Sequence, residues 1–256
     1  MRGDFLGVPI DLLTMEETLD RVEAAITGRE RLQHVALNVA KFVHLQSNLE
    51  LWRDVVASDI VGVDGVGIIL GARMLGVRVP ERVAGVDLME RILERAAEHR
   101  WRPYLLGATE AVLDQAVDEL GRRHPGLQLA GIRNGYFSAE EEPDVVAAIN
   151  ASGADCLFIG MPTPRKERFL AAHRGELNVP FIMGVGGGID VLAGHVNRAP
   201  HWVQRGGLEW AFRIVQEPRR MWRRYFDTNL AYAGILLRLP LGWRPPSAKR
   251  ALPGGA

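Results

Sequence analysis

Three clusters of residues carry enough chemistry to begin from. The first is Gly184-Val185-Gly186-Gly187-Gly188, with Asp190 two residues on. Adjacent glycines let the backbone approach a ligand closely and aim amides at a phosphate. The same residues also suit a tight turn between a strand and a helix. The string is not the G-x-G-x-x-G dinucleotide fingerprint. The second cluster, Gly62-Val63-Asp64-Gly65-Val66-Gly67, puts Asp64 at the end of an apolar run. A carboxylate there can act as a general base, hold a metal or anchor a ribose, and it can equally cap a helix. The third is Gly160-Met161-Pro162-Thr163-Pro164-Arg165-Lys166-Glu167. Its prolines keep the chain extended until Arg165, Lys166 and Glu167 enter a helix start. Cations at that point can hold a phosphate or stand in solvent.

Several chemistries are excluded at the outset. Cys156 is the single cysteine, so neither an intramolecular disulfide nor a multi-cysteine metal site can form. There is no Asp-x-Asp, His-x-x-x-His or Cys-x-x-Cys. A divalent cation held by paired carboxylates therefore has no visible local ligand set, and the pattern points to no cofactor. The histidines are scattered and read as structural. In 256 residues, 47% hydrophobic and 24% charged, the composition is that of a globular chain and excludes a disordered, collagenous or coiled-coil protein.

The elements that must position these clusters follow from the hydrophobic pattern. Thr14 and Glu17 form a capping box, so a helix should run to about residue 26. Short apolar runs at 34–38, 55–63, 103–107, 127–132, 155–160 and 181–185 read as strands. Helical stretches at 41–50, 66–75, 87–100, 110–123, 144–151 and 165–173 separate them. The alternation predicts a Rossmann-like α/β fold, a mostly parallel sheet with helices on both faces. Asn38, Asp64, Gly107, Tyr136, Gly160 and residues 184–190 then gather at the carboxyl edge of the sheet, where such folds bind ligands.

The charge is uneven. Residues 205–256 hold ten Lys or Arg and three Asp or Glu, leaving 21 and 28 for residues 1–204, so +7 opposes −7. The boundary divides the chain into a core, 1–204, and a C-terminal appendage, 205–256. At about 100° per residue, Arg220, Arg223, Arg224 and Arg238 share one side of a helix between Pro218 and Pro240, and Trp222, Tyr225, Phe226, Tyr232 and Leu236 share another. Such a helix suits an anionic bilayer, a packed position with a solvated arginine face, or a nucleic acid. The N-terminus does not read as a signal peptide, and no run of 18 apolar residues exists to span a membrane.

Together these pieces resemble the WecG/TagA/CpsF glycosyltransferase family. The resemblance rests on Asn38, Asp64-Gly65, the stretch from Glu81-Arg82 to Gly85 and Asp87, and the block from Gly131 to Gly135-Tyr136-Phe137. It continues through residues 184–190, Ala193-Gly194, Arg198-Ala199-Pro200, Gly207-Leu208-Glu209-Trp210, Arg213 and Glu217-Pro218-Arg219. It implies an inverting, metal-independent transfer from a UDP-sugar to a polyprenyl-diphosphate-linked sugar at the inner face of the cell membrane. It also implies self-association as a homo-oligomer, and no nucleic-acid partner. Asp64 would be the base. Arg82, with Arg213, Arg219, Arg220 and Arg223, would neutralise the leaving diphosphate. Tyr136 and Asp190 would contact uracil or ribose, with Asn38, Gly65, Gly107, Lys166, Val185, Gly186 and Gly187 framing the pocket. Two residues depart from the family pattern. Ala36 replaces a Thr, and Lys166 replaces the Gln of a Pro-Lys-Gln-Glu motif. Glutamine both donates and accepts, whereas lysine only donates and adds a charge; that charge suits a diphosphate or a uronic-acid donor. The glycine cluster also admits a soluble nucleotide-dependent enzyme, such as an oxidoreductase or a sugar-nucleotide modifier, and the two departures admit a non-catalytic sugar-nucleotide-binding protein.

Overall fold

The computed structural model describes residues 1–200, 203, 208–216 and 218–250, without the side chains of residues 213, 218–221 and 224. The chain opens with a hairpin, β1 (Arg2–Phe5) and β2 (Val8–Asp11). Positive φ angles at Leu6 and Gly7 give its two-residue turn the handedness that matches strand twist. A Cβ at residue 7 would stand 2.2 Å from the Ser247 carbonyl oxygen, so only glycine fits there. The sequence pattern did not single out this hairpin, because its strands have only four residues each.

The elements that follow are α1 (Met15–Gly28), β3 (Leu32–Leu37), α2 (Val39–Ser47), α3 (Leu49–Ala57), β4 (Ile60–Val63), α4 (Val66–Met74) and α5 (Gly85–His99). Next come β5 (Pro103–Gly107), α6 (Glu110–Arg123), β6 (Gly131–Arg133), α7 (Glu142–Ala151), β7 (Cys156–Gly160), α8 (Arg165–His173), β8 (Phe181–Gly184) and α9 (Gly188–Leu192). The described C-terminal part holds α10 (Glu209–Gln216), α11 (Pro218–Arg238), a 3-10 turn (Leu239–Leu241) and α12 (Pro246–Arg250).

Local chemistry sets many of the boundaries. The capping box forms as expected: Thr14 Oγ1 accepts from the Glu17 amide, and Glu17 accepts from the Thr14 amide. Thr109 caps α6. Two expectations need correction. Residues 55–57 end α3 and do not begin a strand; Val55 is apolar because it faces the core from a helix. The strand expected at 127–132 forms only over Gly131–Arg133, an edge strand that pairs on one side only.

Six strands form a parallel sheet in the order β4-β3-β8-β7-β5-β6. At the β4 edge, the Asp11 carboxylate accepts the Val61 amide at 2.8 Å, which blunts an otherwise open edge. The two faces of the sheet differ. On one, Leu105, Phe158, Phe181 and Met183 meet α1, α5, α6 and α9 in a single continuous cluster. On the other, Val35, Leu37, Val61 and Val63 pack with Phe5, Phe42, Ile68, Tyr232 and Ile235. A separate cluster gathers Leu106, Leu157, Ile159 and Ile182 with Val145, Ile149, Phe169 and Leu170. The C-terminal residues Tyr232, Ile235 and Ala248 belong to the same apolar cluster as the N-terminal hairpin.

The helix after β3 covers the divided face, and the helix after β8 covers the continuous one. These strands are neighbours, so the chain leaves them in opposite directions. That is the topological switch point, where a crevice opens at the carboxyl edge.

Candidate active site

A cleft of about 1450 Å³ occupies that crevice. Asn38, Asp64, Gly65, Arg82, Tyr136, Lys166, Val185, Gly186, Gly187 and Asp190 all line it. Among the described lining residues Gly107 is absent. It packs instead against Gly160, where a Cβ at residue 107 would come within 2.5 Å of the Gly160 backbone.

Each wall has a local cause. Asp64 follows β4, with its amide bonded to the Leu37 carbonyl. The residue that caps α4 is Gly65, so Asp64 does not hold the capping position that was its structural alternative. Asn38 does serve as a cap: its Oδ1 accepts from the Lys41 amide at 3.0 Å. The Val83 amide bonds to the Val63 carbonyl. This fastens the segment carrying Arg82 beside Asp64, whose charge helps raise the Arg82 pKa after the larger contribution of its Glu209 hydrogen bond. Tyr136 stands on the rim, 75% exposed, with its amide bonded to Asn134.

The sequence matches the family described as "Glycosyl transferase WecG/TagA/CpsF family" over residues 3–245. The chain belongs to that family. It is also 32% identical over 180 residues to the N-acetylglucosaminyldiphosphoundecaprenol N-acetyl-beta-D-mannosaminyltransferase of Bacillus spizizenii (strain ATCC 23059 / NRRL B-14472 / W23), which covers 70% of this chain and 69% of that protein.

The transferase has a second layer of polar groups, of which the sequence pattern singled out Lys166 and Glu167 but not Gln33, Lys41, Asp54 or Ser58. Between the two apolar clusters of the divided face runs a seam of buried charge. Thr163 Oγ1 donates to Glu167 Oε1 at 3.1 Å, and Lys166 Nζ lies 3.0 Å from the same oxygen. Lys41 Nζ lies 3.7 Å from it. Deeper in, Gln33 Nε2 donates to Ser58 Oγ at 3.3 Å and to Asp54 Oδ1 at 3.5 Å. Gln33 Oε1, Asp54 Oδ2 and Glu167 Oε2 are buried and find no partner among the described residues.

Burial and then the neighbouring Lys166 lower the Lys41 pKa to about 8. Burial would push Glu167 upward, but the ammonium groups of Lys166 and Lys41 outweigh it and hold the carboxyl below its ordinary range. Burial and then Glu167 push Asp54 up, toward its neutral form. On the other face, burial and then Lys41 lower His34 to about 3, and neither of its ring nitrogens has a partner among the described residues. Lys41 sits three residues after the Asn38 cap, so helical phase puts it over the sheet; a cap followed by a lysine in an apolar stretch was the one available signal.

The C-terminal segment closes one side of the cleft. Arg82 makes a two-pronged pair with Glu209 of α10, at 2.9 and 3.2 Å. Tyr225, Thr228, Asn229, Tyr232 and Leu236 of α11 add to the lining. The Tyr232 hydroxyl donates to the Gly67 carbonyl at 2.8 Å, and burial pushes its phenol pKa up. Arg213 lies on α10 and Arg219 and Arg220 on α11, but their side chains fall outside the described ones. Arg223 is exposed and is absent from the cleft lining among the described residues.

The single apolar face read from sequence divides into two in the structure. With Arg219 at zero, Tyr225, Tyr232, Ile235 and Leu236 fall between about 160° and 260°, and Trp222, Phe226, Leu230 and Leu237 between about 300° and 20°. The first group turns toward the core and cleft; the second is exposed, from 53% to 76%. Among the described residues no helix is long and apolar enough to cross a membrane, and no three-residue cluster could hold a metal.

Proposed function

We propose that this transferase moves a sugar, of the N-acetylmannosamine type named for its Bacillus relative, from a UDP-sugar to N-acetylglucosamine on undecaprenyl diphosphate, in the assembly of a wall or surface polymer. One observation carries the proposal: Asp64 and Arg82 converge on the switch-point cleft of a chain that matches the family over residues 3–245.

The attacking hydroxyl of the acceptor must lose its proton as it bonds to the anomeric carbon. Asp64 is the base, placed at the cleft's edge by β4. One displacement without a covalent intermediate inverts the anomeric centre. The UDP leaving group gains negative charge as the bond breaks, and fixed cations and amides lower that barrier. Arg82 is a cation within electrostatic reach of Asp64, with its fork oriented by Glu209. The glycines at 186 and 187 give the diphosphate close access to the backbone. Neutralisation by these groups, with Arg213, Arg219 and Arg220 in support, makes the reaction independent of a divalent metal. Asn38, Tyr136, Val185 and Asp190 shape the nucleotide end.

The outward stripe of α11, Trp222, Phe226, Leu230 and Leu237, flanked by arginines, is the surface that rests on anionic lipid. Buried apolar side chains and about 1 kcal/mol per surface cation combine to hold such helices there. This brings the cleft to a lipid-borne acceptor. The segment 205–256 is thus the membrane-facing appendage, although its inner face shares the apolar cluster of the N-terminal hairpin.

The deciding experiment is a panel of UDP-sugars incubated with polyprenyl-diphosphate-linked N-acetylglucosamine in the presence of EDTA. Product formation is expected, and Asp64→Asn should bind UDP but not turn over. Turnover that stops on chelation, or a fully active Asp64→Asn enzyme, would overturn the assignment.

A further inference from the structure

The cations around the cleft differ in how far their hydrogen-bond donors are committed. Arg82 gives two N–H groups to Glu209. Arg165 donates to the Phe137 carbonyl and lies over the Phe137 ring. Arg198 is paired with Asp87 and Glu90. Lys166 has three donors, and its described partners account for one of them, the bond to Glu167 Oε1.

The Lys166 side chain is 6% exposed, yet the residue lines the cleft. Its stem crosses β8 at Gly184, where a Cβ would stand 2.5 Å from Lys166 Cε and 3.0 Å from Nζ. Gly184 therefore makes the path by which the ammonium reaches the cleft floor. Lys41, 11% exposed in its side chain, approaches the same Glu167 oxygen and also lines the cleft. Two ammonium groups thus share one carboxylate. The next carboxyl inward, Asp54, is turned to Gln33 Nε2 at 3.5 Å and makes no ion pair with either ammonium among the described residues. Buried positive charge in excess of its partners is costly unless something anionic completes it.

We propose that Lys166, backed by Lys41 through Glu167, forms an anion-binding site at the floor of the cleft that takes an anionic oxygen group of the donor. The group is either the diphosphate of the nucleotide or a carboxylate on the transferred sugar. Glu167 is a positioning residue: it holds both ammonium groups and touches no substrate. The inference rests on the reading of the cleft as a UDP-sugar site.

Titration calorimetry with UDP and with uridine, on the full chain and on Lys166→Gln, tests it. If the anion is the diphosphate, the preference for UDP over uridine falls about tenfold to a hundredfold in the variant, while uridine affinity is unchanged. If it is a sugar carboxylate, UDP affinity holds. In that case a preference of wild type for a UDP-hexosaminuronate over the neutral UDP-hexosamine disappears in the variant.

A pH series separates the site from a structural role. The titratable groups coupled to Lys41 are Lys166 and Glu167 on α8, Asp54 on α3 and Asp64 after β4, with His34 of β3 across the sheet. Of these Lys41 is the one displaced to about 8. Affinity for the anionic ligand should weaken as pH rises through that value, and Lys41→Met should flatten the dependence. Both preferences unchanged in Lys166→Gln would overturn the anion site while leaving the UDP-sugar reading intact. So would equal losses for UDP and uridine. Failure of wild type to bind UDP at all would overturn both.

Discussion

The two faces of the sheet are built on different terms. One is covered by a continuous apolar layer from α1 to α9, in which Phe158, Phe181 and Met183 are fully buried. The other carries two apolar clusters with Lys41, Asp54, Lys166 and Glu167 between them. Apolar burial favours folding without a partner. Buried charge rarely does, because desolvation cancels much of the Coulomb gain. A seam of charge that opens into the cleft is therefore best understood as serving a ligand. The cleft itself opens where the helices after β3 and β8 leave the sheet toward opposite faces.

The sharpest break is expected at Asp64, which stands at the cleft edge and not in either layer. Asp64→Asn should lower turnover by about 10²–10⁴-fold while the melting temperature and UDP affinity stay close to wild type. Steady-state kinetics and calorimetry on one preparation would decide it.

Next in size is the difference between the layers themselves. Phe158→Ala on the continuous face should cost about 3–5 kcal/mol of unfolding free energy in urea. Glu167→Ala should cost a similar amount, about 3–5 kcal/mol, because it strands two ammonium groups. The triple change Lys41→Met, Lys166→Met, Glu167→Met should then recover wild-type stability or exceed it by about 1–4 kcal/mol, at the expense of donor binding. A triple variant as unstable as Glu167→Ala would show that the seam supports the fold and not a ligand.

A smaller effect sharpens the comparison from the other side. His34 is the polar exception on the continuous face. In the unfolded chain its imidazole takes up a proton below about 6.5, but in the folded protein only near 3. The folded pKa is depressed, so stability falls as pH drops from about 6.5 toward 3, by about 1 kcal/mol per unit over most of that window. His34→Leu should remove this loss and leave stability at pH 8 equal or higher, since no hydrogen bond is given up. Thermal denaturation of both proteins at several pH values between 4 and 8 would reveal it. Parallel curves would mean that His34 is protonated in the native state.

The smallest effect on stability is expected at the outward stripe of α11. Trp222→Ser with Phe226→Ser should change unfolding free energy by no more than about 0.5 kcal/mol, yet abolish sedimentation with vesicles containing anionic lipid. Full retention on such vesicles would remove this stripe as the lipid-facing surface.

Some of the molecule was legible in its residues. Alternating apolar runs and helical stretches announced a parallel α/β sheet, because strands covered on both faces must be apolar throughout. The Thr14–Glu17 box and the Thr109 cap marked helix starts, because capping is local chemistry. Asp64 and the glycines at 186 and 187 could be named because strand ends carry distinctive residues at short spacing, and Arg82 because it falls in the Glu81–Asp87 stretch that carries the family resemblance. The strand order, and with it the position of the crevice, was not in the pattern. It depends on which strands pair across long stretches of chain, and local periodicity is blind to that. The charged seam was hidden for the same reason: Lys41 and Glu167 lie 126 positions apart, and each alone looks like a solvated helix residue. The C-terminal helix shows the limit most plainly. Its amphipathic phase was readable, but whether an apolar side chain turned toward Phe42 or toward solvent was decided only when the helix docked, since helical phase fixes a direction and tertiary packing fixes what lies in it.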